Sequence, residues 1–361
     1  MRIVLFCHSL VSDWNHGNAH FLRGIVLELQ ARGHDVAVYE PAGGWSRASL
    51  VRDHGEAPIE EFHRAFPSLR SNEYDLGALD LDAVLAGADL VLVHEWNDPA
   101  VVAAVGAHRA AHDYRLLFHD THHRAATRSG DMAAFDLSGY DGVLAFAEVI
   151  RRIYLDRGLA RRVWTWYEAA DVRTFRPLPQ VERRGDLAWI GNWGDGERTG
   201  ELDDFLLSPV KALGLGGVVH GVRYPSGGRA AVRAAGLDFR GWIANHRVPE
   251  VFAAHRVTVH VPRRPYVRVL PGIPTIRVFE ALACGIPLVC APWDDAEGLF
   301  EPGRDYLVAR DREEMTTNVK SVLNEPELAR ELSEHGLRTI RARHTCAHRV
   351  DELMDVYEEL R

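Results

Sequence analysis

The apolar positions of this chain fall into two kinds of run, and their alternation organises everything else. Short continuous runs bounded by polar or glycine positions read as strands buried on both faces. They cover 3–6, 36–39, 90–93, 116–118, 142–146 and 163–166, then 186–191, 218–223, 257–261 and 288–289. Between them lie stretches with helical periodicity. Over 19–32, Phe21, Ile25 and Leu29 share one face and Gly33 closes the helix, and 99–112 and 149–157 read the same way. Strand–helix alternation specifies βαβ units and parallel sheets. The polar, proline-bearing stretch 177–185 reads as a linker. The expected fold class is therefore α/β, with two doubly wound Rossmann-like domains, 1–175 and 176–344. Helices are expected at 312–324 and 327–342. A last amphipathic segment, 346–360, has Val350, Leu353, Met354, Val356 and Tyr357 as its apolar set.

One stretch, 271–289, combines a loop, a helix and a strand. Gly272 permits unusual backbone angles, and Pro274 with Thr275 marks a helix start. Ile276, Phe279 and Ala283 recur at core-facing spacing, while Arg277 and Glu280, three apart, share another face. Gly285 and Pro287 end the helix. A helix N-terminus behind such a loop is an anion site, because unpaired N–H groups and the helix dipole point at the ligand. Glu280, one turn in, is placed to accept hydrogen bonds from two ribose hydroxyls. The plain alternative is a surface helix with one Arg–Glu pair.

The same stretch resembles the donor-binding segment of GT-B glycosyltransferases, and most closely family 4 and the spore-maturation-type enzymes. Their pattern is Glu, seven residues, Glu, then Ala-x-Ala-x-Gly-x-Pro. The second half is intact from Glu280 to Pro287, with the Arg-Val-Phe-Glu core at 277–280, whereas Gly272 stands where the first Glu is usual. The junction before the linker also resembles the family's, with Asp171, Phe175 and Pro177 in place. The resemblance implies a GT-B fold with two Rossmann-like domains facing a central cleft. It implies that the terminal helix, about 345–361, packs back on the first domain. It places the nucleotide base near the backbone of Trp242 and Ile243, after the short strand 239–242. It suggests retention of configuration, with the leaving phosphate helping to deprotonate the acceptor.

Composition narrows the partners. A formal net charge of −9 gives no bulk attraction to nucleic acid or anionic membrane. No run approaches the roughly 18 apolar residues of a membrane span. The four cysteines, Cys7, Cys284, Cys290 and Cys346, lack metal or redox spacing and fit reduced thiols in a cytosolic protein. The pattern G-x-G-x-x-G is absent from the Gly-rich turn 191–196, which argues against a nicotinamide enzyme.

In parallel sheets, ligands bind beyond the strands' carboxyl ends. In the first half these ends carry His8, then His94, Glu95, Trp96 and Asn97, then His119, Asp120 and His123. The run from His119 to His123 reads three ways: metal ligands, capped structural side chains, or a pair facing the reacting carbon. The last is preferred, and His119, Asp120 and Glu95 are the candidate catalytic residues. In the second half the donor candidates are Gly191, Asn192, Trp193, Arg223, Trp242, Ile243, Arg263, Gly272, Ile273, Thr275, Arg277 and Glu280. One of Arg263 and Arg264 is expected to face the diphosphate. Trp96, Trp193 and Trp242 are candidate sugar-stacking faces, and Trp189 and Trp164 read as core. Asp294 and Asp295 read as a capping or solvated pair, so no metal and no further cofactor is expected. The expected function is transfer of a sugar from a nucleotide-diphosphate sugar, UDP-sugar favoured, to an acceptor hydroxyl on a small molecule or glycan. A nucleotide-sugar epimerase and a silent sugar-nucleotide-binding subunit remain alternatives. No pattern selects a sugar, an acceptor or an oligomeric state.

Overall fold

The computed structural model describes residues 1–361. The chain forms two compact units. Met1–Glu168 joins with Cys346–Arg361, and Ala169–Thr345 forms the other. No helix is long and apolar enough to cross a membrane.

The first unit is built on seven strands, β1 (Arg2–Phe6), β2 (Asp35–Pro41), β3 (Asn72–Tyr74), β4 (Leu90–His94), β5 (Arg115–Asp120), β6 (Gly142–Ala145) and β7 (Val163–Thr165). They form one parallel sheet in the order β3-β2-β1-β4-β5-β6-β7. Every residue of β4 is buried, as its uninterrupted apolar run requires. The register sets Phe6 beside Val93, His94 beside His119 and Asp120 beside Ala145. The helix Ala19–Ala31 buries Phe21, Leu22, Ile25, Val26 and Leu29. Against it packs the terminal helix Cys346–Leu360. Arg32 reaches from the first helix's end to Asp351 at 2.6 Å, and the Trp166 indole donates to the Arg349 carbonyl at 2.8 Å.

The second unit carries β8 (Gly185–Ile190), β9 (Gly217–His220), β10 (Leu237–Gly241), β11 (His255–His260), β12 (Leu288–Cys290) and β13 (Leu307–Val308). They too are parallel, in the order β10-β9-β8-β11-β12-β13. Leu187, Trp189, Val219, Val257, Val289 and Met315 lie in its core. Both sheets reverse winding direction beside their first strand, between β1 and β4 and between β8 and β11. Those are the points where parallel sheets open a crevice beyond the strand ends.

Residues 169–175, placed with the first domain by the sequence, cluster with the second unit. The Ala170 amide donates to the His344 carbonyl at 2.9 Å, and Phe175 is fully buried. Asp171 accepts from the Thr174 hydroxyl at 2.9 Å and makes this junction a structured turn. The edge strands β3 and β13 escape the periodicity because three and two residues leave no pattern to detect.

The terminal helix is integral to the first unit, since Leu353 on it has no exposed surface. Leu353→Ala is expected to cost about 2–5 kcal/mol, the usual range for a buried leucine. Urea denaturation followed by circular dichroism measures this, and a loss below about 1 kcal/mol would show that the helix is peripheral.

Candidate functional site

In the second unit, chemistry gathers where β8 and β11 end. Gly191 follows β8, and its amide donates to the His220 carbonyl at 2.8 Å. A Cβ there would lie 2.8 Å from the Trp189 ring, so only glycine fits. Beyond it the Arg198 guanidinium turns inward. It donates to the Val261 carbonyl at 2.7 Å and the Asn192 carbonyl at 2.6 Å, and it lies 5.2 Å over the Trp189 ring. Its Nε–H is buried without a partner. Burial, with the nearby charges of Arg263 and Arg277, lowers its pKa to about 10. Three guanidiniums thus share one neighbourhood.

The helix Ile276–Cys284 starts at Thr275, whose hydroxyl meets His260 Nε2 at 3.0 Å. Burial, and then the charges of Arg198 and Arg277, push His260 down to about 3, so this imidazole is neutral. Gly272 takes φ +88° in the preceding loop, and its amide donates to the Asp294 carbonyl at 2.7 Å. Glu280 has no exposed surface. Its Oε1 accepts from Asn245 Nδ2 at 3.0 Å, and its Oε2 is ion-paired with Arg277. The helix therefore buries the carboxylate that the sequence placed on an open face.

The other donor candidates divide. Arg263 is half-buried and paired with Glu197 at 3.2 Å. Arg264 pairs with Glu201 at 2.8 Å. Arg223 adopts φ +59° and pairs with Asp195 at 3.1 Å, half exposed. Asn192 Oδ1 accepts from the Val222 amide at 3.0 Å, which fixes the loop after β9. Trp242 and Ile243 are half-buried. Ile273 is buried as a whole. Trp193 is not a stacking face. It belongs to the apolar core, with its indole donating to Thr199 at 3.1 Å. Trp189 is core as expected, whereas Trp164 is half-buried and donates to Glu359 at 2.9 Å. Asp295 accepts from the Leu299 and Phe300 amides at 3.0 and 2.7 Å, as a loop-capping residue does.

In the first unit, the ends of β4 and β5 bring His94, Glu95, His119 and Asp120 together. All four are buried. Asp120 accepts from the Tyr154 hydroxyl at 2.8 Å and from the His122 amide at 2.9 Å. Burial still raises its pKa to about 6. Glu95 accepts from the Thr121 hydroxyl at 3.2 Å and is ion-paired with Arg124. Burial, and then the charge of Asp120, push Glu95 well above the usual carboxylate range. His119 stands edge-on to Trp166 at 4.8 Å, with Nε2 unpartnered, and burial holds it near pKa 3. His8, at the end of β1, has neither ring nitrogen bonded and stacks on the half-exposed Trp45 at 5.1 Å. Trp96, also half-exposed, lies 6.1 Å from His8.

Sequence reasoning missed Arg198, Asn245, His260 and Tyr154. Tyr154 was legible only as part of the helix Glu148–Asp156. Arg198 follows the Gly-rich turn, a polar loop where no periodicity marks a buried side chain.

Residues 198–355 match the sequence model of the family described as glycosyl transferase-like. No characterised protein matches the whole sequence closely enough to align. Solved structures of the same fold are numerous. An α-glucosyltransferase, solved with UDP and a 13-mer DNA containing an HMU base, superposes with a TM-score of 0.71 at 12% identity, covering 99% of both chains. The HepE protein of Anabaena, solved with UDP-glucose, gives 0.66 at 13% identity over 99% of this chain and 100% of its own. Phage T4 BGT, solved with UDP and Mn2+, gives 0.61 at 13% identity, covering 100% and 99%. The chain thus has the GT-B fold of these glycosyltransferases, and its segment 198–355 carries the sequence pattern of the glycosyl transferase-like family.

Proposed function

We propose that the protein transfers a sugar from a nucleotide-diphosphate sugar to an acceptor hydroxyl. The observation that carries this is the group Arg198, Arg263 and Arg277 beside the N-terminal turn of the helix Ile276–Cys284, all inside the family-matched segment. A diphosphate leaving group develops negative charge as the glycosidic bond breaks. Guanidiniums and helix N–H groups stabilise that charge, and Arg198 is already held in place by its two carbonyl contacts. Two of the similar structures hold UDP and one UDP-glucose, which favours uridine as the nucleoside.

Glu280 then has a two-state role. Arg277 and Asn245 cover its carboxylate in the structure described here. In our reading the ribose hydroxyls replace Arg277 on Oε2 while Asn245 stays on Oε1, and the released Arg277 turns to the diphosphate. The base lies along the backbone of Trp242 and Ile243. In the first unit, Asp120 and Glu95 are the proton-handling groups and His119 is a neutral positioning group. The likeness to family 4 supports retention, with the departing phosphate taking part in deprotonating the acceptor. The four free, buried cysteines support a cytosolic setting. Incubation with UDP-glucose and other nucleotide sugars, scored for transfer, epimerisation and hydrolysis, tests the reading. Epimerisation without acceptor, or binding with no turnover against any acceptor, would replace it.

Arg198→Ala is expected to weaken UDP binding by about 1.5–3 kcal/mol, the range for hydrogen bonds to a charged group. Calorimetry on the folded variant measures this, and unchanged affinity would remove Arg198 from the donor site. Transfer is expected to persist in excess chelator, because the guanidiniums take the part of a divalent ion. Since phage T4 BGT was solved with Mn2+, the chelator assay is decisive, and recovery of lost activity on adding manganese would overturn metal independence.

Asp120→Asn is expected to cut turnover by roughly 10²-fold or more while UDP affinity stays near wild type. The wild-type rate should carry an acid limb. With its pKa raised to about 6, Asp120 takes up its proton as pH falls through that value, and the base is lost below it. A pH–rate profile flat from pH 7.5 to about 5 would exclude Asp120 as the base.

A further inference from the structure

At the opposite ends of the first unit's strands, three ligand-type side chains converge. Asp82 lies on the short helix Leu81–Leu85 that precedes β4. His108 sits on the last turn of the helix Pro99–Arg109, and His112 follows in the segment leading to β5. One ligand atom from each lies within 4.8 Å of the other two. Asp82 Oδ1 is 3.1 Å from His108 Nε2 and 3.8 Å from His112 Nε2. The two imidazoles stack with centroids 3.9 Å apart and planes 2° from parallel.

The contacts on the far side of each ring bear on which nitrogen can ligate. His112 Nδ1 faces the His108 carbonyl at 2.8 Å, an acceptor only, and donates to it, which directs the other ring nitrogen, Nε2, toward Asp82. His108 Nδ1 meets the Tyr114 hydroxyl at 3.0 Å, and that hydroxyl also reaches the Val105 carbonyl at 3.2 Å. With the hydroxyl proton on the carbonyl, His108 Nε2 offers a lone pair; with it on Nδ1, Nε2–H donates to Asp82 Oδ1 at 3.1 Å. The adjacent Arg109 guanidinium is engaged elsewhere, binding the His112 carbonyl at 2.6 Å and pairing with Asp141 at 3.4 Å.

We propose that Asp82, His108 and His112 form a surface site for a late first-row divalent cation, zinc, nickel or copper. Two imidazoles and one carboxylate suit these ions, and the His108 Nδ1 contact to Tyr114 is of the kind that orients a ligating histidine. Bonds of about 2.0–2.1 Å to a tetrahedral ion set ligand atoms about 3.3 Å apart, and the two Asp82 distances bracket that value. Because the two rings stack parallel, the half-exposed His112 ring must turn out of the stack to bring its lone pair onto the ion. Water completes the shell, because Asp82 is open to solvent. The bound ion ties the approach to β4 to the approach to β5. This site is independent of the sugar chemistry.

The test uses the full-length chain without an affinity tag. Zn2+ titration by calorimetry is expected to show one ion per chain with a micromolar dissociation constant, weakened at least about tenfold in His112→Ala and in Asp82→Ala. Both residues are open enough to solvent that the variants should fold, which circular dichroism verifies. Cu2+ bound to the wild type should show electron paramagnetic resonance couplings to two imidazole nitrogens, reduced to one in His112→Ala. Zinc should raise the melting temperature of the wild type and not of His112→Ala. Binding only at millimolar metal, or equal affinity in all three proteins, overturns the proposal and leaves a His108–Asp82 hydrogen bond with no ion.

Discussion

Glu280 is a carboxylate with no exposed surface, and the polar end of the second unit is arranged around it. A charge so placed is costly unless paired and hydrogen-bonded. Arg277, one turn earlier on the same helix, supplies the pairing, and Asn245 supplies a donor from the loop after β10. The Asn245 contact joins that loop to the helix Ile276–Cys284. The Arg277 contact sets a guanidinium where its charge is felt by Arg198 and His260. The neutrality of His260 is thus a consequence of its neighbours and its burial. So is its bond to Thr275 at the helix start.

The first unit handles burial differently. Its strand ends carry imidazoles beside two carboxylates, whereas in the second unit the imidazoles ending β9 and β11, His220 and His260, have guanidiniums for neighbours. His8, His94 and His119 are all held neutral by desolvation. Neutral imidazoles leave a weakly charged surface in which two carboxylates, Glu95 and Asp120, set the electrostatics. Only Arg124 offsets them directly, and both carboxyl groups are raised by burial. Raised carboxylates beside unpartnered ring nitrogens suit proton movement near neutral pH. Clustered guanidiniums suit a phosphate-bearing ligand.

Much of this was legible in the sequence, because parallel strands leave a strong mark. β1, β4, β5 and β11 are apolar runs, and their last residues are where the pattern turns polar. That is why His119, Asp120, Glu95 and Gly191 were found at strand ends. Glu280 was identified as important but misjudged in exposure. Helical spacing turns it about 100° away from Phe279, and spacing alone does not reveal that the loop carrying Asn245 covers that face too. Trp193 was misread for a related reason. A tryptophan in a Gly-rich turn looks available, yet Gly228 has no side chain, and the Trp193 ring lies 2.9 Å from where its Cβ would stand. Arg198 was invisible because its inward turn is decided by two backbone carbonyls and the Trp189 face. None of these leaves a local signal.

The superposed structures share about 12–13% of residues with this chain over nearly its full length. That combination follows from what the fold requires. A doubly wound sheet needs apolar strands of the right length, glycines at a few close approaches, and helices with one apolar stripe. Many sequences meet those demands. Gly217 is such a position, since a Cβ there would fall 2.0 Å from the Leu187 carbonyl. Fold likeness at this identity therefore carries the architecture and leaves the chemistry to the strand ends. There this chain carries glycine at 272, where the family 4 pattern has its first glutamate, arginine at 198, and histidines at 8, 94 and 119. The glycine at 272 takes φ +88°, which other residues adopt poorly, and the space its Cβ would fill lies 3.0 Å from Glu297 Oε1. The neighbourhood of that loop therefore keeps a carboxylate, supplied from the segment after β12, although position 272 itself offers none.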